Sequence, residues 1–178
     1  NITGVKCLAI SASTPEQAQL AIRLTRLEPE KGECILRDEI IEAIVLSTKP
    51  EQAAFRLNLT KDLMHLADNF YKNGTFNGFG FSISSIVRSA NTPEQAQFKL
   101  DLVNKLARLT DDSLKPRLDP HSICDIVTSA NTPEQAWFKF KLASKLSGLK
   151  DENGNARFGS TQITYITSLV DTLEQAKL

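Results

Sequence analysis

The sequence predicts an all-α fold, a right-handed α-solenoid built from helix-pair repeats of about 40 residues. Three observations carry this expectation. The hexapeptide Asn91-Thr92-Pro93-Glu94-Gln95-Ala96 returns whole as Asn131-Thr132-Pro133-Glu134-Gln135-Ala136, with partial copies at Ser13–Ala18, Lys49–Ala53 and Thr172–Ala176. The shared Glu falls at 16, 51, 94, 134 and 174, so the spacings are 35, 43, 40 and 40 residues. A second apolar phrase precedes each copy: Leu8-Ala9, Ile44-Val45, Ile86-Val87, Ile126-Val127 and Ile166-Thr167. The expected organisation is a single helical-repeat domain over 1–178, with repeats near 1–36, 37–79, 80–118 and 119–159, a partial one at 160–178, and more of the array beyond.

The first helix of each repeat, helix A, follows from the upstream phrase. Ile83, Ile123 and Ile163 stand three residues before Ile86, Ile126 and Ile166, and apolar residues at i, i+3 and i+4 lie on one side of a helix. Asp119-Pro120 supplies an N-cap acceptor and a proline at the first helical position. Ser160, Ser82 and Asp38 are the expected caps of the neighbouring copies.

Helix B begins at the hexapeptide. Thr92 accepts from the N–H of Gln95 and Gln95 reaches back to Thr92, a capping box, while Pro93 starts the helix and Glu94 faces its positive end. Thr132–Gln135 and Thr14–Gln17 repeat the device. Lys49 replaces the threonine in the second copy, so that cap is weaker or is supplied by Thr48. Phe98, Leu100, Leu102, Val103, Leu106, Ala107 and Leu109 then cover more than half a helical wheel, so this helix needs neighbours on two sides. The expected core is Ile83, Ile86, Val87, Phe98, Leu102, Leu106, Ile123, Ile126, Phe138, Leu142, Leu146, Ile163 and Ile166.

Polar connections follow each helix B. Those at 110–118 and 150–159 end on Arg117-Leu118 and Arg157-Phe158, whose apolar member is expected to anchor the loop. Asp151–Asn155 has the look of an EF-hand start. Ala156 and Gln162 stand where that loop needs Gly and a bidentate Glu, so it reads as a solvated turn. Tyr71–Gly80 is the least regular connection.

Bulk composition excludes some classes. Lys plus Arg and Asp plus Glu are 21 each, so no global field draws the chain to nucleic acid or an anionic membrane. No apolar run reaches the ~20 residues of a membrane span. Cys7, Cys34 and Cys124 are odd in number, which favours a reducing compartment such as the cytoplasm. His121 and Cys124 are one turn apart, but no second pair stands near to complete a zinc site. No catalytic residue, cofactor site, metal site or small-molecule substrate is expected.

Paired helices at this period resemble the broad HEAT and armadillo type of helical repeat. The resemblance covers almost the whole chain and rests on period and pairing alone, so no functional residue is carried over from it.

The expected function is that of a non-enzymatic scaffold holding another macromolecule, first of all a protein. The alternatives are a modular nucleic-acid reader and a targeting segment of a larger protein, such as a secreted bacterial effector. Candidate partner-binding residues lie on the polar stripe of helix B: Trp137, Lys141, Gln97, Asp101, Asn104 and Arg108. Trp137 stands out because Gln19, Ala54 and Gln97 hold its place elsewhere. Lys139, Lys141 and Lys145, partly continued by Lys99, Lys105 and Arg108, read as a solvated basic stripe without interleaved aromatics.

Overall fold

The computed structural model describes residues 12–27, 36–70 and 79–171. Among the described residues the fold is all-α, with two isolated β-bridges and no strand. The chain divides into two compact units, 1–96 and 97–178. The first holds α1 (Pro15–Thr25), α2 (Asp38–Leu46), a 3-10 turn (Pro50–Gln52) leading into α3 (Ala53–Phe70), and α4 (Phe79–Ser89). α5 (Pro93–Ala107) runs from the first unit into the second, which continues with α6 (Pro120–Ser129), α7 (Pro133–Gly148) and α8 (Ser160–Leu169). Hexapeptide copies open α1, the 3-10 turn, α5 and α7, and the apolar phrases lie in α2, α4, α6 and α8. The copies at 8–9 and 172–176 lie outside the described residues.

Within the first unit α2 and α4 pack together, α1 and α3 pack together, and α1 meets α2 as α3 meets α4. The apolar phrases fill the space between these layers: Ile44, Val45, Ile83, Ile86 and Val87 are all buried. Within the second unit α8 packs on α6 and α7, and Leu102, Leu106, Ile123, Ile126, Phe138, Leu146 and Ile163 are buried. Phe98, Leu142 and Ile166 depart from the expected core and are only half-buried.

The caps differ from expectation in instructive ways. Thr14, Thr92 and Thr132 accept from the glutamine N–H at 3.2, 3.1 and 3.2 Å. The return bond reaches one residue further than a capping box. Gln17, Gln95 and Gln135 accept through Oε1 from the N–H of Ser13, Asn91 and Asn131, each at 2.8 Å. In the second copy Gln52 accepts from Lys49 N at 3.1 Å, and the helix starts with a 3-10 turn. Thr48 does not cap that turn; it is buried and donates back to Ile44 O.

Among the A helices Asp119 caps as expected, accepting from Ser122 N at 3.0 Å. Ser160 is instead the first helical residue after Gly159, and its hydroxyl donates to Asp119 Oδ2 at 2.8 Å. Asp38 likewise follows the cap position, held by Arg37 without a side-chain bond. Ser82 sits inside α4, which begins at Phe79, and is buried.

The largest departure concerns cations. Lys99 and Lys139 are 0% exposed and Arg56 is 2% exposed, although the sequence places two of them in a solvated stripe. All three occupy the same place, five residues after the motif Glu. Lys99 Nζ donates to Val127 O and Ala130 O at 3.0 and 2.7 Å. Lys139 Nζ donates to Thr167 O, Ser168 O and Val170 O at 3.0, 3.2 and 3.1 Å and pairs with Asp171 at 3.1 Å. Arg56 donates to Arg88 O and Ala90 O, and its other nitrogen reaches Ser47 O at 2.7 Å. The last carbonyls of a helix have no intrahelical donors and form the negative end of its dipole. Each buried cation therefore closes the C-terminus of the helix A that follows it. Burial lowers the Lys99 pKa to about 8, with nearby Cys124 partly offsetting the shift. Burial also lowers that of Arg56.

Candidate partner-binding surface

The candidate residues lie on the parts of α5 and α7 within the second unit. Gln97, Asp101 and Arg108 are exposed on α5 and just beyond it, and Trp137 and Lys141 are exposed on α7. Asn104 is half-buried, and its Oδ1, out of reach of solvent, has no hydrogen-bond partner. Gln97 Nε2 donates to Asp101 Oδ1 at 3.1 Å, one turn along the helix.

The aromatic rings bring the two stripes together. Trp137 is 51% exposed, and Lys141 Nζ lies 4.8 Å from its ring centroid. Lys105 Nζ of α5 lies 5.7 Å from the ring of Phe140 on α7. Cations over ring faces are held by the ring quadrupole. Aromatic rings and lysines thus interleave across this face, contrary to the sequence expectation of a stripe without aromatics. The residue the stripe lacked in sequence is Phe140, whose meeting with Lys105 depends on which sides of α5 and α7 face one another. Lys99 and Lys139 drop out of the stripe because they are buried.

The loops that follow these helices are near copies of each other. Thr110 bridges Pro116 and Lys150 bridges Ala156 in β-bridges. Asp111 Oδ1 accepts from the N–H of Ser113 and Lys115, and Asp151 Oδ1 from Asn153 and Asn155, at 2.8 to 2.9 Å. The Lys115 N–H bond heads the influences that hold the Asp111 carboxyl below its ordinary pKa. The Asp151 stretch is thus a turn closed by its own backbone. Leu118 is buried as the expected anchor, Phe158 is half-buried, and Arg117 Nη2 donates to Phe158 O at 2.7 Å. Burial pushes the Asp119 carboxyl up, but donors from Ser122, Ser160 and the His121 N–H outweigh it and hold it below the ordinary range.

Among the described residues, no group of three or more His, Cys, Asp or Glu converges on a common point, and Cys124 is buried and in no disulfide. Cys7 and Cys34 lie outside the described residues, as does 71–78 of the irregular connection; Phe79 and Gly80 belong to α4. No described helix is long and apolar enough to cross a membrane. No protein-family model matches the chain, and no match is found among curated proteins or solved structures.

Proposed function

We propose that this chain is a non-enzymatic helical-repeat scaffold that holds another macromolecule, a protein before a nucleic acid. Its architecture in this reading is a right-handed α-solenoid of about 40-residue helix pairs, of the HEAT and armadillo type. One observation carries the proposal: what repeats is spent on helix ends, and exposed positions free of that duty differ between copies. The capping threonines and glutamines and the buried lysines recur between the third and fourth copies and are consumed by helix ends. At the same spacing, exposed Gln97 becomes Trp137 and Asp101 becomes Lys141, a reversal of charge. A fixed frame with individually tailored outer positions suits recognition of one partner surface, whereas a modular nucleic-acid reader needs base-contacting pairs drawn from Asn, Gln, Arg or Ser in each repeat, where this chain has Asp101 and Trp137.

Panning a random displayed peptide library on the full chain tests this. The expected outcome is enrichment of a family of related peptides. Failure to enrich any peptide, with tight, salt-sensitive binding of single-stranded oligonucleotides, would transfer the function to nucleic acid.

A further inference from the structure

We propose that the outer face of α5 and α7 docks an acidic protein segment that also carries a large apolar side chain. The inference rests on the scaffold reading and adds the face used and the chemistry of its occupant. The contact of Lys105 with Phe140 joins the two helices into one surface, and Trp137 with Lys141 continues it along α7. One turn further along lie exposed Arg108 and exposed Lys145. The acids on these helices are Glu94 and Glu134 in the first turns and Asp101, already held by Gln97, midway along α5. Beyond these positions neither helix has an acidic residue. A chain with no net charge therefore gathers four cations around two rings on one face.

That combination selects its ligand by two requirements at once. A simple polyanion would neutralise the lysines and leave the half-exposed Trp137 ring in water. An uncharged apolar ligand would desolvate the ammonium groups with nothing to compensate them. Carboxylates flanking a Leu, Phe or similar side chain satisfy both, the apolar group on the indole and the acids on Lys105, Arg108, Lys141 and Lys145. Single-stranded nucleic acid fits less well, since it binds through successive stacked bases. Lys141 already lies over the Trp137 ring, and the equivalent position of α5 is Gln97.

Fluorescence anisotropy on the full chain tests the assignment with three labelled probes. These are a 12-residue Asp/Glu peptide with a central Leu-Phe, the same peptide with every acid replaced by Lys, and a 20-nucleotide oligothymidylate. The acidic peptide should bind most tightly. W137Q, K141D and K105Q should each weaken it by about fivefold or more, while K61Q, at an exposed lysine of α3, should leave it unchanged. Unchanged thermal melts by circular dichroism establish that the variants fold. Equal binding by the variants, equal binding of the basic peptide, or no binding of the acidic peptide at millimolar concentration overturns the proposal. Tighter, W137Q-sensitive binding of oligothymidylate also overturns it, in favour of nucleic acid. If library panning enriches peptides that these variants still bind, the scaffold reading stands and this surface falls. If panning enriches none, the scaffold reading fails as well.

Discussion

Leu114 and Gly154 hold the same place in two near-identical loops, with φ of 60° and 79°. That left-handed region suits glycine and costs other L-residues roughly 1–2 kcal/mol, with Asn among the few that tolerate it. Leu114 bears that strain while 82% exposed, so no burial offsets it. Nothing lies within 4 Å of where a Cβ on Gly154 would stand, so a substitution there reports backbone strain alone. Gly154→Ala should therefore lower stability by about 1 kcal/mol in urea titration, and Leu114→Asn should raise it by a few tenths or more. The loops were legible in sequence as polar turns with an apolar anchor. The strain was not, because Leu114 gives no outward sign of an unusual φ.

At the scale of the helix, capping by threonine could be read directly because the bond is local. The return bond from glutamine could be placed only to within one residue. The buried lysines were misread for a different reason. A charged residue near other charges was grouped with them by sequence proximity, although at 100° per residue Lys99 points roughly 160° away from Asp101. Its acceptors, Val127 and Ala130, arrive from a different helix, and no local pattern announces them. The closure of α6 by Lys99 has a pH signature. With its folded-state pKa lowered to about 8 from 10.5, the unfolded chain holds the proton more tightly. Protonation thus penalises folding fully below pH 8, and stability should rise by up to roughly 3 kcal/mol as pH climbs from about 8 to 10.5. A neutral amine still has two N–H donors for the two carbonyls. Lys99→Met should flatten this part of the stability–pH curve, measured by urea unfolding; an unchanged slope would mean that Lys99 does not titrate there.

For the whole molecule, the all-α class followed from periodicity, while the face on which aromatics and cations meet depended on helix packing. Each buried cation is satisfied within its own compact unit, Arg56 in the first and Lys99 and Lys139 in the second. The losses from altering them should accordingly be independent. Arg56→Lys keeps the charge but not the planar fork that reaches both Ser47 and Ala90, at an expected cost of about 1–2 kcal/mol. Combined with Lys139→Met, its effect should add to within about 0.5 kcal/mol in chemical denaturation. A larger coupling would show that the two sites are not energetically independent.

The closure of α4, α6 and α8 by an earlier cation also constrains how such a sequence can lengthen. Lys99 and Lys139 reach carbonyls at identical offsets of 28 and 31 residues. A tandem duplication may start anywhere within the period, because a copy of full length supplies every new helix end with its cation. A copy a few residues short or long would strand an ammonium in the core and leave carbonyls bare beside it. The two successive spacings of 40 residues keep that pairing intact while the outer residues differ as far as Asp101 and Lys141.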